Sequence, residues 1–401
     1  MVIDRPVSGP ATSPTSRPLR VALVLEHFDP MIGGLESWTY RLARALVGRG
    51  HVVHVVAADF APGNLPIVAH RVARHTSPSR QAQGVEETVR SLTVDLVHDV
   101  GCGWSADIFQ PQTGSRVLNL QRDLDSMPLV ARARMLLSPG FRRWRRDLDD
   151  CERRQMNSAE CVIAVSDLVK REIGTRYGLS PHRLIVVRNG IDTDRFSLAV
   201  REKYRAAARL ELGVGDAVMF LAVAHNFRLK GVDAELEALA RLPGGGPQGS
   251  RLVVVGNGPI EEYRRKAQGL GIANRVSFLG GVATMERVYA AADVFVHTTY
   301  HDACSLATLE ALATGLPAIT TRANGAADAM RSGREGLVLD EAGDVAALAD
   351  AMTALLDPDR RETFGYAARR LAPALGFDAN VAGIMNVYEA VLARRAGRAP
   401  L

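Results

Sequence analysis

The chain has only four cysteines in 401 residues, Cys102, Cys151, Cys161 and Cys304, and none stands at C-x-x-C spacing. No zinc site is encoded by that scatter, and a disulfide framework has little place in a chain long enough to bury its own core. A reducing, cytoplasmic setting is the simplest reading. Long apolar runs are missing too. No stretch approaches the ~18 uninterrupted apolar residues of a membrane span, and the amino-terminal MVIDRPVSGPATSPTSRP lacks the apolar centre of a signal peptide. That leader, residues 1–18, reads as disordered. Charge of one sign is scarcely in excess: 49 basic residues face 44 acidic ones, a net +5. Over a chain of this size that makes nucleic acid a poor partner, while leaving room for a local basic patch facing phosphates or an anionic membrane. No tandem repeat of about 20–50 residues is visible.

What is present is the composition of a soluble globular protein, 47% apolar and 23% charged. The length suits two or three domains at about 100–200 residues each. Short apolar, β-branched runs alternate with segments of helical period, the pattern of parallel α/β layers. The first series of strands is expected at Val21–His27, Val52–Ala57, Ile67–Ala73, Val94–His98, Cys161–Ser166 and Leu184–Arg188. The second is expected at Val218–Ala224, Leu252–Gly256, Val276–Leu279, Val294–His297, Ala318–Thr321 and Gly336–Leu339. Patterning lapses around Asp192–Val200, which places a domain boundary there: residues 19–195, then 196–378. The fold class is therefore α/β, two doubly wound parallel sheets facing a cleft where ligands of such folds sit. The last segment, 379–401, carries a helix that can pack on either domain.

Several groups on this frame are candidates for chemistry. Gly33 and Gly34 fall between a strand and a helix, where glycine lets backbone approach a ligand and helix N–H groups favour phosphate; a plain turn explains the pair equally. After the first strand of the second series, Arg228 and Lys230 precede a glycine and a helix. Both are placed to reach a diphosphate, Arg as a bidentate fork and Lys as a point charge, unless they are two surface cations of a βα loop. After Val294–His297, a loop carries Tyr300, His301 and Asp302, and a helix begins near Ser305. Asp302 lies ahead of that helix and Glu310 in its second turn. Two carboxylates so placed can grip separate parts of one extended ligand through sugar hydroxyls, each charged hydrogen bond being worth about 1.5–3 kcal/mol. The N–H groups of Ser305 and Leu306 add an anion site between them. Gly256-Asn257-Gly258-Pro259 does not complete G-x-G-x-x-G, because Glu261 occupies the third glycine position; it reads as a tight turn, with at most a contact from Asn257 to a ligand base. Asn189–Asp192 reads as another turn. Residues 138–154 form a basic amphipathic helix, capped at Ser138-Pro139, with Phe141, Trp144, Leu148 and Cys151 at helical spacing among Arg142, Arg143, Arg145 and Arg146. It either docks on an anionic membrane or packs as an ordinary helix with solvated arginines.

Taken in order, IGGLESW, VIAVSD, VVRNGIDTDRF, HNFRLKGVD, VVVGNGP, VSFLGG, AAADVFVHTTYHDACSLATLEALATGLPAITT and GREGLVL resemble the retaining glycosyltransferases of family 4, with the two-Rossmann-domain GT-B fold, over residues 20–390 or so. HNFRLKGVDAELEALARLP and YHDACSLATLEALATGLP are most similar to the bacterial lipopolysaccharide core glucosyltransferases. The resemblance implies a nucleotide-sugar donor, UDP-linked, and a glycan or glycolipid acceptor. It implies that Gly33 and Gly34 face the donor diphosphate and that Lys230 and Arg228 neutralise it as it leaves. Asp302 takes the place of the family's first Glu of E-x7-E at the donor sugar, Glu310 holds the ribose, and Ser305 and Leu306 offer backbone donors to the phosphates. No metal and no cofactor are implied, since cations and helix ends do the electrostatic work.

The chain departs from the family pattern in two places. Asp302 is one methylene shorter than the usual Glu. Ala224-His225 replaces a Gly-Arg pair, so that either His225 or Arg228 fills that role; Arg228, charged at any relevant pH, is favoured. On the acceptor side His98, Asp99 and Asp107 are candidates, His98 and Asp99 as the end of a strand facing the cleft; a structural His and a capping Asp are the plainer alternatives. His297 and His301 stand near the donor sugar, though His297 also fits a core position. Besides a transferase, an isomerase or epimerase of a nucleotide sugar and a non-catalytic sugar-nucleotide binder remain compatible with these residues.

Overall fold

The computed structural model describes residues 17–61, 63–243 and 249–397. Of the expected disordered leader, residues 1–16 lie outside the described residues, and Arg17 already pairs with Asp95 at 2.7 Å. Two parallel sheets follow one another along the chain. The first holds β1 (Arg20–Val24), β2 (Val52–Ala57), β3 (Val68–Arg71), β4 (Leu96–Asp99), β5 (Ile108–Phe109), β6 (Cys161–Ala164) and β7 (Leu184–Val186), in the order β3-β2-β1-β4-β5-β6-β7. The second holds β8 (Val218–Val223), β9 (Ser250–Val255), β10 (Val276–Gly280), β11 (Val294–His297), β12 (Ala318–Thr321) and β13 (Gly336–Leu339), in the order β10-β9-β8-β11-β12-β13.

In both sheets the chain starts in the middle, winds outward to one side, then crosses to the other. The loops after β1 and β4, and after β8 and β11, therefore diverge and open a crevice at the carboxyl ends of the strands. That topology sets the site, because Gly33-Gly34, His98-Asp99, His225–Gly231 and Thr298–Asp302 all occupy those loops or strand ends.

The central strands are almost wholly apolar because helices cover both faces. On one face of the first sheet Val21, Leu23, Val53 and Val55 meet Trp38, Leu42 and Leu46, spaced four apart along α1 (Gly34–Gly48). Each such leucine is worth about 1.5–3 kcal/mol buried. Serines at the helix starts supply missing acceptors: Ser77 opens α2 (Pro78–Arg90), Ser115 opens α3 (Arg116–Ser126), and after α4 (Leu129–Leu137) Ser138 opens α5 (Pro139–Ser158). Ser166 does the same for α6 (Asp167–Tyr177), and Ser197 for α7 (Leu198–Glu211), which begins the second half. There α8 (Val232–Arg241), α9 (Ile260–Gly269), α10 (Met285–Ala291) and α11 (Leu306–Ala313) flank the sheet.

Two expectations are corrected, and the choice left open for the last helix is decided. The strand expected at Val21–His27 stops at Val24, and His27–Phe28 pairs instead with Asp59–Phe60 outside the main sheet. Asn189–Asp192 is not a turn: Ile191 donates to Leu375 O and accepts from Phe377 N–H, each at 2.9 Å, so two chain crossings lie side by side. The last helix (Phe377–Arg395) belongs to the first sheet, where Val381, Ile384, Tyr388 and Val391 complete the cluster around Val21 and Leu23.

Candidate functional site

On the second sheet, the loop after β8 and the loop after β11 are bound to one another. Asp302 Oδ2 accepts from Lys230 Nζ at 2.6 Å and lies 3.2 Å from His297 Nε2, while Oδ1 accepts the Cys304 N–H at 3.2 Å. Burial alone would raise the Asp302 carboxyl, but the His297 hydrogen bond and the Lys230 charge outweigh it and hold the group well below the usual carboxylate range. Burial in turn lowers His297. Gly231 makes the contact between the loops possible: its φ is +79°, and a Cβ there would stand 2.1 Å from Thr298 O. Beneath them the buried Glu235 accepts the Thr298 N–H at 3.4 Å, and burial pushes its carboxyl up to about 8. Sequence reasoning missed Glu235. The signal was an acid on the stripe of α8 that buries Val232, Leu236 and Leu239.

Helix α11 carries the second acid. Glu310 Oε2 accepts from Tyr289 OH at 2.9 Å. Burial pushes its carboxyl up to about 7, against the pull of Tyr289, Arg195 and Arg41. At the start of the helix Ser305 Oγ accepts from Thr308 N–H. The Ser305 N–H itself donates to Asn324 Oδ1 at 3.3 Å, which corrects its role as an open donor and leaves Leu306 to open the helix. The first domain faces this point, since a Cβ on Gly34 would lie 3.6 Å from Leu306 Cδ1.

Arg228 does not join Lys230. It is exposed, and with Asn257, Tyr263 and Lys266 it lines a separate pocket of about 780 Å³ beside the turn after β9. A two-residue offset in an irregular loop sends the two cations to different sides. His225 lines the same pocket as Arg228.

The acceptor-side candidates fall apart physically. His98 is fully buried, its Nδ1 2.8 Å from Tyr388 OH, and burial lowers it to about 4. It faces the last helix rather than the cleft, because successive residues of a strand point to opposite faces. Asp99, also buried, accepts the N–H groups of Gly101, Cys102 and Gly103 at 2.8–3.0 Å, a loop cap. Asp107 precedes β5, at the amino end of the sheet, where it accepts Val97 N–H and pairs with Arg395. The crevice of this domain is instead a cavity of about 790 Å³, walled by Glu26, Arg74, Gln81, Gln112, Arg116 and Trp144 among others. Gln81 and Gln112 are buried there with unpaired Nε2 atoms. Sequence reasoning passed over Gln112 and Arg116; the turn-and-cap sequence Thr113-Gly114-Ser115 ahead of α3 was the available signal.

The helix expected at 138–154 is present as α5, but its apolar face turns inward. Leu148 and Cys151 are buried, and Trp144 and Leu148 line the first-domain cavity. The plainer alternative, a packed helix with solvated arginines, describes it. The neighbouring α4 exposes Leu129 (81%), Val130 (82%) and Leu137 (71%) and buries no residue. Among the described residues no helix is long and apolar enough to cross a membrane.

Residues 32–195 match the family described as Glycosyltransferase Family 4, and residues 215–358 the one described as Glycosyl transferases group 1. A D-inositol 3-phosphate glycosyltransferase of Geodermatophilus obscurus is 31% identical over 93% of this chain and 90% of its own length. The lipopolysaccharide glucosyltransferase WaaG of Escherichia coli is 27% identical over 80% of this chain and 85% of its own. The crystal structure of WaaG superposes with a TM-score of 0.74 at 24% identity, covering 92% of this chain and 99% of that one.

Proposed function

We propose a reaction for this chain, which belongs to the family 4 glycosyltransferases and has their two-domain GT-B fold. A hexose passes with retained configuration from a UDP-linked donor to a hydroxyl of a glycan or glycolipid. The observation that carries this reading is the cluster Asp302–Lys230–His297 on the second domain, set at the opening of α11 and opposite Gly34.

The donor lies across the crevice on the second sheet. The Lys230 ammonium and the first turn of α11 meet the negative charge that grows on the leaving diphosphate. Asp302, kept ionised by Lys230, accepts hydrogen bonds from the sugar, and Glu310 holds the ribose hydroxyls. Asn257 and Arg228 line the adjoining pocket and contact the base. The leaving phosphate takes the acceptor's proton on the face it departs from, so neither a protein base nor a metal is invoked. The acceptor enters the first-domain cavity. For a glycolipid acceptor, α4 lies on an anionic membrane with Leu129, Val130 and Leu137 inserted, and Arg142, Arg143 and Arg146 of α5 add about 1 kcal/mol each near the surface.

The test is release of nucleotide from UDP-glucose, UDP-galactose, GDP-mannose and ADP-glucose in the presence of EDTA, wild type against Asp302→Ala. One donor should bind and be slowly hydrolysed, and Asp302→Ala should lower the rate by about 100-fold or more, as loss of a transition-state contact does. Failure of every donor to bind sinks the reading. For the membrane arm, Leu129→Asp/Val130→Asp should abolish sedimentation with phosphatidylglycerol vesicles; sedimentation equal to wild type refutes it.

A further inference from the structure

His301 is the neighbour of Asp302, yet it turns the other way. Its Nε2 lies 3.3 Å from Glu172 Oε2 on α6, across the junction between the two sheets. Glu172 is also held by Arg122 of α3, and Arg122 Nη1 donates to Asn119 Oδ1 at 3.0 Å. Asn119 is part of the wall of the first-domain cavity, and its Nδ2 donates to Thr113 O, on the same wall, at 2.8 Å. A continuous set of hydrogen bonds thus runs from the cavity proposed for the acceptor, through two helices, to the loop that carries Asp302. Two further contacts seat α6 on that region: Ser166 Oγ donates to Ala303 O at 2.6 Å, and Leu168 N–H to Asp328 Oδ2 at 3.2 Å. His301 and Glu172 are both largely buried, with 9% and 16% of their side chains exposed, so water competes little for the bond.

The far side of the loop is equally constrained. Lys230 Nζ donates to His301 O at 3.4 Å as well as to Asp302, and Thr299 Oγ1 donates to His301 O at 2.8 Å. The eight-residue loop of residues 298–305 is therefore clamped between a first-domain carboxylate and a second-domain ammonium. If the first-domain partner withdraws, only the second-domain half of the clamp remains. Separation of the two domains would then free the His301 side chain and leave the loop to its second-domain bonds, among them Asp302 N–H to Ala323 O at 2.9 Å and Gly325 N–H to Asp302 O at 2.8 Å.

We propose that His301 is a positioning residue: through Glu172 and Arg122 it ties the Asp302 loop to the first-domain cavity, so that the loop is held from both sides, and its working geometry completed, only when the two domains meet. This rests on the reading of Asp302 as a donor contact. It gives the enzyme a means of keeping a bound donor from water until the acceptor side is in place, because an open arrangement leaves the loop held from the second domain alone. The step is one of geometry, and no bond is made or broken by His301.

The test uses the full chain and UDP-glucose. Amide hydrogen exchange of the segment 300–305 is followed by mass spectrometry in wild type, His301→Leu, Glu172→Leu, the double variant and His301→Gln. Each single leucine variant should speed exchange of the segment by about tenfold, and the double variant no further, as expected of two groups sharing one contact. His301→Gln, which keeps a side-chain donor for Glu172, should restore at least half the protection. For UDP-glucose hydrolysis, His301→Leu should lower kcat by about tenfold per folded molecule, the folded fraction being counted by circular dichroism, with KM changed less than twofold. Should His301→Leu fail to fold, Glu172→Leu tests the same contact from the other side. Exchange unaltered in both single variants, or additive in the double, overturns the inference. Full activity of Asp302→Ala would instead sink the donor-site reading itself, a separable outcome.

Discussion

Replacing Lys230 by Met removes the ammonium 2.6 Å from Asp302 and keeps most of the aliphatic stem. The two side chains are 20% and 18% exposed, between the surface pairs worth about 0–1 kcal/mol and the buried pairs whose disruption costs about 3–5 kcal/mol. His297 stays 3.2 Å from the same oxygen and shares the stranded charge. These figures place the loss for Lys230→Met at about 2–3 kcal/mol. Asp302→Asn should cost less, about 1–2 kcal/mol, since Lys230 keeps the His301 carbonyl and some solvent. The double variant should lose about 1–2 kcal/mol less than the sum, because neither charge is then left alone. Urea denaturation at pH 7.5 measures all three. The pH dependence follows in sign: Asp302 is held below its unfolded value near 3.8, so the pair's contribution is complete above about pH 4 and is lost as pH falls further. The gap between wild type and Lys230→Met should therefore close in acid. Equal stability at pH 7.5, or a gap that does not change with pH, refutes the argument.

Gly325→Ala places a Cβ 1.9 Å from Ala303 O and 2.3 Å from Ser166 Oγ, at the seat between the sheets, and should cost about 2–3 kcal/mol by thermal denaturation. Tyr388→Phe leaves His98 Nδ1 buried and unpaired, a loss of about 1–3 kcal/mol, while UDP-glucose affinity by calorimetry should be unaltered because His98 faces away from the crevice. Glu310, its carboxyl pushed up to about 7, should bind ribose hydroxyls better as it ionises. Donor affinity should therefore rise about tenfold from pH 6 to pH 8, following the ionised fraction, and Glu310→Gln should flatten the profile.

The strands were legible because buried parallel strands are continuous apolar runs: Val52–Ala57, Val294–His297, Ala318–Thr321 and Gly336–Leu339 stand where the pattern places them. Helix starts were legible where a serine precedes the periodic residues, as at Ser138 and Ser305. Two-residue strands such as Ile108–Phe109 carry too little periodicity to be seen. The near-neighbour part of the candidate site, Asp302 and Glu310 around the start of α11, was readable from one strand–loop–helix stretch. Glu235 and Gln112 were marked only faintly, by an acid on the apolar stripe of α8 and by a turn-and-cap sequence before α3, because burial that leaves a polar group with little company is decided by distant packing.

Spacing, caps and apolar runs therefore established two α/β sheets and put the chemical residues at their strand ends, since those features depend on neighbours a few positions away. Which of those residues meet was decided only in three dimensions. His98 read either as a crevice residue or as a structural histidine until Tyr388, 290 positions later, claimed it for the core. Lys230 and Arg228, two positions apart, part company, while Lys230 and Asp302, 72 apart, pair. The apolar face of α5 was plain in the sequence, but whether it met lipid or protein depended on what packed against it. Local patterning says that a face is apolar or a loop charged; long-range packing, which trades desolvation against new contacts, chooses the partner.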